Sequence, residues 1–257
     1  MSKEKKTKVI ILGSRSNSTN ILYNSLTNEF DIIKVIIEKK ESKFLFFKRR
    51  LKKVGYLKLL DQLFFILFIS KLITLYSEKR YKEILKINNL SNSNIDKTQI
   101  ISVESINSST SIDLIKSFNA DIILLSGTRI LSSNLLRSIN SKIINIHAGI
   151  TPYYRGVHGA YWAYLNKQSS LAGVTLHRVD KGIDTGKILG QKIIQVQSSD
   201  NFSTYPLLQL NSGIIMLKKY LNNTDKLHVV QSKNKSKLWY HPGFFQYLYY
   251  RCFHGVK

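Results

Sequence analysis

Apolar and polar positions along the chain alternate between two kinds of block. The compact apolar run Lys8 to Leu12, closed by Gly13, reads as a buried parallel strand, and Asp31 to Ile37, Gln99 to Val103, Asp121 to Ser126 and Lys142 to Ile146 repeat its form. Between these runs the pattern predicts helices over Ser18 to Asn28, Thr110 to Phe118 and Ser133 to Ile139. Further on it predicts a helix over Gly159 to Leu165, strands over Ala172 to Val179 and Lys187 to Val196, and a helix over Tyr205 to Leu221. Repeated strand–helix alternation implies an α/β fold, a Rossmann-like, mostly parallel sheet with helices on both faces. Ligands of such sheets bind beyond the carboxyl ends of the strands, so Gly13, Gly127 and His147 are expected to converge on one edge.

The rhythm breaks between Lys43 and Leu85, where Phe and Leu dominate and Lys and Arg are interspersed. This stretch reads as helical, and its longest uninterrupted apolar run, Leu63 to Ile69, is too short for a membrane-spanning helix. Three readings are open: a helix buried on the sheet face, a dimer surface, and a contact with a membrane surface through an apolar face with basic flanks. Asn88 to Asp96 is a polar loop, and the aromatic, basic stretch Leu227 to Lys257 shows no periodicity. The expected organisation is one domain over 1–225, with a helical insertion at about 43–90, followed by a tail over 226–257.

At 257 residues and 43% apolar content the chain can build a large core, so disorder is not expected. Lys and Arg number 39 against 16 acidic residues, and the net charge of +23 suits phosphates or an anionic surface. The charges are scattered rather than gathered into one arm, so a nucleic-acid partner is not expected. Cys252 stands alone, which excludes an internal disulfide, and no metal is expected. The charged start Met1 to Lys8 precedes an apolar run too short for a signal peptide, so a cytoplasmic protein is expected.

The candidate chemistry lies between Ile143 and Leu189. In an extended strand Asn145 and His147 share one face and Ile144 and Ile146 the other, so an amide and an imidazole emerge together at a strand end. The loop beyond carries Gly149, Pro152 and Gly156, and a second loop sets Asp184 between Gly182 and Gly186. His177 and His158 are expected to be structural, although His158 is close enough to the loop to be a candidate for supporting the site. Arg155 reads equally well as a partner for phosphate or carboxylate and as a structural residue. The turn Gly13 to Thr19 before a helix can cradle an anion, although an ordinary strand–helix turn reads as well and the G-x-G-x-x-G of a dinucleotide site is lacking.

The blocks Asn145-Ile146-His147, Thr151-Pro152-Tyr153-Tyr154-Arg155-Gly156, Ala172 to His177 and Asp180-Lys181-Gly182-Ile183-Asp184-Thr185-Gly186, in this order, resemble the catalytic core of the folate-dependent formyltransferases. That family includes methionyl-tRNA, glycinamide ribonucleotide and sugar-nucleotide N-formyltransferases. The sequence departs from it at Ala148-Gly149-Ile150, where many members carry Ser-Leu-Leu. The resemblance implies the formyltransferase N-terminal-domain fold and transfer of a formyl group from N10-formyltetrahydrofolate, with Asn145, His147 and Asp184 as catalytic residues. It places the folate between Gly127, Thr128, Arg129, Ile130 and Leu131 on one side and Val179, Asp180, Gly182 and Ile183 on the other, bound mainly by main chain. Gly13, Ser14, Tyr154, Arg155 and Gly156 are the positions expected to meet the acceptor. The expected acceptor is a small phosphate-bearing amine, an amino sugar nucleotide serving polysaccharide synthesis. Glycinamide ribonucleotide and methionyl-tRNA are the alternatives within the enzyme class, and the extra C-terminal domain of tRNA-directed members is not expected here. A non-catalytic, membrane-associated relative is the alternative from another class.

Overall fold

The computed structural model describes residues 6–40, 42–224, 227–231 and 235–257. The expected boundary between residues 225 and 226 lies outside the described residues. In chain order the elements are β1 (Lys8–Gly13), α1 (Asn17–Leu26), β2 (Asp31–Glu38), α2 (Lys43–Val54), α3 (Tyr56–Phe64), α4 (Ser70–Tyr76), α5 (Glu78–Ile87), β3 (Ile100–Val103), α6 (Ser109–Ser117), β4 (Ile122–Ser126), α7 (Ser133–Ser138) and β5 (Lys142–His147). They continue with β6 (Arg155–Gly156), α8 (Gly159–Leu165), β7 (Gly173–Arg178), β8 (Ile188–Ile193), α9 (Tyr205–Leu221), β9 (Leu238–Trp239) and α10 (Phe244–His254). A π-helical turn, Phe65–Ile69, joins α3 to α4.

Seven strands form one sheet in the order β3-β2-β1-β4-β5-β7-β8, parallel through β5 and antiparallel at β5/β7 and β7/β8. The two-residue period of β1 shows why both faces are covered. Val9 and Ile11 pack into a cluster with Leu22 of α1 and Ile214 of α9, while Ile10 and Leu12 pack with Ile112 of α6 and Leu135 of α7. Ser16 caps α1 by accepting the Thr19 N–H, and Ser108 and Ser132 do the same for α6 and α7, which fixes where each helix starts.

The apolar stretch after β2 divides between its readings. α5 meets the first, since Ile84 is buried with Val9 and Ile11 of β1 and Tyr81 and Leu85 pack against that cluster. The run from α3 to α4 is not laid on the sheet face. Its inner side joins a third, aromatic cluster, in which the fully buried Phe65 packs against Phe202 and Tyr247 with ring centroids 5.1 and 5.0 Å away, while its outer side is exposed. The run Tyr56–Tyr76 is also one helical stretch with the length and apolarity of a membrane span, which counting uninterrupted apolar residues missed because Asp61, Gln62 and Lys71 interrupt it.

The stretch after residue 235 is ordered by long-range partners. β9 pairs with β6, and α10 lies against α3, where the Phe244 and Phe64 rings are 5.0 Å apart. Such partners leave no trace in local periodicity.

Candidate active site

β1 and β4 are neighbours at the point where the strand order reverses, and their ends are tied by the Ser14 N–H donating to the Ser126 carbonyl (3.0 Å). A crevice at this point is where open α/β sheets bind ligands. β5, beside β4, ends here and delivers Asn145 and His147. The antiparallel β7 sets His177 opposite Asn145 and Thr175 opposite His147.

These pairings bring two imidazoles to one carboxylate. His147 Nδ1 lies 3.3 Å from Asp184 Oδ2, and His177 Nε2 lies 3.7 Å from Asp184 Oδ1. Asp184 reaches them from a left-handed backbone conformation (φ 53°), which Asp tolerates better than most residues. Its Oδ2 also accepts the Gly156 N–H (2.9 Å), and Arg155 Nη1 donates to the Ile183 carbonyl (3.2 Å), so the two loops hold each other.

The hydrogen-bond partners fix the ring protons. His147 Nε2 faces the Tyr154 carbonyl at 2.8 Å and must donate to it, so the neutral ring presents a lone pair at Nδ1 toward Asp184. His177 Nδ1 likewise donates to the Arg178 carbonyl (2.8 Å), leaving Nε2 to accept from the Asn145 amide (3.2 Å). Burial pushes the His147 pKa below its ordinary value, and the nearby Asp184 only partly opposes this. For Asp184 burial acts upward but is outweighed by the two imidazoles, His177 before His147, and by the Gly156 N–H, so its carboxyl is held below the usual range. At neutral pH the arrangement is a neutral His147 facing an ionised Asp184.

The loop carrying Tyr154 is braced from below. Thr175 Oγ1 donates to the Gly149 carbonyl (2.7 Å), accepts the Thr151 N–H (3.0 Å) and meets Gln191 Nε2 (3.0 Å). A Cβ on Gly149 would lie 2.2 Å from the Tyr154 carbonyl oxygen and 2.8 Å from His147 Nε2, inside the hydrogen bond that sets the tautomer. Gly149→Ala is therefore expected to cost about 1–3 kcal/mol by overpacking and to lower turnover at least about tenfold as His147 shifts. Chemical denaturation and saturating-substrate kinetics check the two effects separately.

Among the other sequence-predicted positions, Gly13, Ser14 and Gly127 converge on this edge: a Cβ on Gly127, whose φ is +73°, would touch Ser14 Oγ at 2.8 Å. Ile130 is exposed and Leu131 is buried in the core beneath it. Thr128 lies on the same loop. Arg129 turns away, since its Nη2 donates to the carbonyls of Lys39 (2.6 Å) and Glu104 (3.2 Å) and its N–H to the buried Glu38. It tethers the loop to β2. On the facing loop Val179 packs on the core, and Asp180 accepts the Gly182 N–H (3.0 Å) and the Thr185 hydroxyl (2.7 Å), shaping the turn that leads to Ile183 and Asp184.

Three expectations are corrected. Tyr154 does not face an acceptor: it is 2% exposed, stacked on Trp239 (5.6 Å), and its hydroxyl bonds Gln168 and Asn166. Gly156 acts through its N–H to Asp184 and is hemmed in by the Trp239 carbonyl. His177, expected to be only a structural strand residue, stands within the cluster, a placement legible only once β5 and β7 are known to pair.

Residues 69–207 match the family model described as formyl transferase, more than half of the chain. The chain belongs to the formyl transferase family. It is 34% identical over 94 residues to phosphoribosylglycinamide formyltransferase of Bacillus subtilis (strain 168), covering 36% of the chain and 48% of the relative. Over 116 residues it is 34% identical to methionyl-tRNA formyltransferase of Ehrlichia ruminantium (strain Welgevonden), covering 45% and 38%. The matched stretch thus spans less than half the length of either curated relative. The solved structure of a sugar N-formyltransferase from Shewanella sp FDAARGOS_354 shares the fold, with a TM-score of 0.52, 16% identity, and coverage of 90% of this chain and 76% of that one. The match begins within the apolar helices, yet β1 and β2 complete the same sheet.

Proposed function

We propose that the chain transfers a formyl group from N10-formyltetrahydrofolate to the primary amine of a small acceptor, an amino sugar joined to a nucleotide. The observation that carries this reading is the Asn145, His147 and Asp184 cluster at the carboxyl edge of the sheet, in a chain of this family. An attacking amine must be neutral and must lose a proton as its bond to the formyl carbon forms. His147 Nδ1 holds the lone pair that takes this proton, and Asp184, ionised 3.3 Å away, stabilises the resulting imidazolium.

The formyl oxygen gains negative charge in the same step. The Asn145 amide has two N–H groups, one directed at His177 and one left for that oxygen; losing such a donor costs on the order of 3 kcal/mol. His147 supplies no second donor, because its N–H is committed to the Tyr154 carbonyl. It serves as the base.

The residues present fit the folate. Gly127 leaves the space a Cβ would fill, Ile130 offers an exposed apolar edge, and the Asp180 to Asp184 loop faces the same end of the sheet. Bound there, the folate would supply the formyl group, its bond from the formyl carbon to N10 breaking as the new bond to the amine is completed, and N10 would take the proton held by His147. For the acceptor, the turn at Gly13 and Ser14 beside Gly127, opening onto the amino end of α1, suits a phosphate-bearing amine. The Bacillus subtilis relative favours glycinamide ribonucleotide as a second reading.

The test is incubation of the purified chain with formyltetrahydrofolate and a panel of amino-sugar nucleotides, glycinamide ribonucleotide and charged initiator tRNA, read by mass for an added formyl group. Formylation of an amino-sugar nucleotide is the expected result. A panel in which nothing is formylated overturns the enzymatic reading.

A further inference from the structure

The fold leaves one long apolar face uncovered. Along the helical run Tyr56–Tyr76 the inner residues Leu59, Gln62 and Phe65 are buried, while Leu57, Leu60, Phe64, Phe68, Leu72 and Leu75 recur at helical spacing with exposures from 43% to 82%. α10 extends the same surface. It is held against α3 by the Phe64–Phe244 ring contact and by the Phe245 N–H donating to Asp61 Oδ1 (3.2 Å), and it adds the exposed Phe245 (72%) and Phe253 (75%). Exposed apolar surface of this extent and continuity marks a contact site.

Charge accompanies the apolar stripe. Residues 43–77 carry eight Lys and Arg against one acidic residue, Asp61, and that carboxylate is engaged with α10. Lys48, Lys52, Lys58 and Lys71 are exposed, as is Arg251 of α10.

We propose that this face lies in the plane of an anionic lipid bilayer, its aromatic and leucine side chains entering the headgroup boundary and its lysines meeting lipid phosphates. Apolar faces with basic flanks bind such surfaces by both terms at once. The run does not cross the bilayer. Gln62 Nε2 donates to the His241 carbonyl (2.7 Å), Gln62 Oε1 accepts from Arg50 (3.0 Å), and the buried Phe65 is locked among aromatic rings, all of which a spanning helix would have to abandon in hydrocarbon. A second copy is a poorer occupant, because each copy brings the same basic flanks and a charge of +23 to the contact, whereas an anionic surface neutralises them. The inference stands apart from the proposed activity.

The experiment is co-sedimentation of the full chain with vesicles of phosphatidylcholine alone and of equal parts phosphatidylcholine and phosphatidylglycerol. Partitioning into the anionic vesicles is expected to be at least about tenfold stronger, and to fall as salt is raised. Leu57→Glu/Phe68→Glu/Phe253→Glu and, separately, Lys52→Glu/Lys58→Glu/Lys71→Glu should each lose about tenfold or more, with Tm unchanged because all six side chains are exposed. Phe68→Ser alone serves if the apolar triple variant does not fold. Equal binding to both vesicle types, no binding to either, or undiminished binding by the variants overturns the proposal. So does a dimer in sedimentation velocity that Phe68→Ser dissociates.

Discussion

Asp184→Asn should lower turnover by about 10²- to 10⁴-fold while the chain stays folded. Asn accepts the left-handed backbone at this position and keeps an oxygen for the Gly156 N–H, so loop geometry and thermal stability should change little. What it removes is the negative charge facing His147 Nδ1. The imidazolium formed when the amine proton is taken then stands in a buried site without a counter-charge, and burial already disfavours that cation. The oxygen that keeps the Gly156 N–H is also the atom facing Nδ1, so the new –NH₂ lies on the His177 side instead. Folate affinity should survive, because the proposed slot is built chiefly of main chain. His147→Asn should lose a similar factor, and the double variant should lose far less than the product of the two, since groups working as one unit are non-additive. Saturating-substrate turnover of Asp184→Asn near that of the native chain would show the carboxylate to be a loop tether only.

The parts of the site legible in the sequence are those that local rules govern. A two-residue period puts Asn145 and His147 on one face whatever the tertiary context, and glycines around Asp184 announce a loop. The placement of β1, β4 and β5 as buried parallel strands also follows from their apolar runs. His177 was hidden for the opposite reason. Its role depends on β7 turning antiparallel to β5 across 32 residues, and nothing near Arg178 encodes that pairing. Tyr154 looked available because it sits in the loop, but the ring that buries it is Trp239, 85 residues on. Arg129, placed beside the folate by resemblance, sends its side chain to carbonyls just beyond β2 and β3, acceptors that its own loop does not announce.

Trp239 also shows how the two surfaces of the molecule are joined. β9 pairs with β6, whose Gly156 N–H holds Asp184, and five residues after β9 the chain enters α10, which forms part of the uncovered apolar face. The Trp239 ring stacks on Trp162 (4.8 Å) and its Nε1–H donates to the Tyr153 carbonyl (3.1 Å). One short segment therefore carries both the clamp on the loop that holds Asp184 and the anchor of the exposed helix. Truncating Trp239 would disturb both, so tests of lipid contact belong on the exposed Phe68 and Phe253, which do not contact the loop that holds Asp184.

Acid should destabilise the chain steeply between about pH 6.5 and pH 4, through a pair of histidines outside the His147, His177 and Asp184 cluster. His158 Nε2 lies 2.9 Å from His241 Nδ1, an arrangement in which one ring donates and the other accepts, so both are neutral. Burial, followed by the neighbouring His241 and Arg50, pushes the His158 pKa down to about 3; burial and Arg50 push His241 down to about 4. Each folded-state value lies below the unfolded value near 6.5, so the unfolded chain takes up protons first as pH falls. The stabilisation is complete above about pH 6.5 and is lost as pH falls through the folded values. Each ring is neutral in the folded chain while its unfolded counterpart takes up a proton, so the two losses add, each on the order of 2–3 kcal/mol across this window. The loss should fall on the packing of the stretch after β9, since the His241 carbonyl accepts from Gln62 and the His158 ring lies 4.2 Å from Phe202. Denaturant midpoints at about pH 7 and about pH 4.5 measure it in the native chain and in His241→Asn, whose amide hydrogen-bonds without titrating. The native chain should lose more stability than the variant between the two conditions, with His158→Asn, which keeps the left-handed backbone at that position (φ 58°), giving the same difference. A parallel fall in all three chains would place the acid sensitivity in the carboxylates instead.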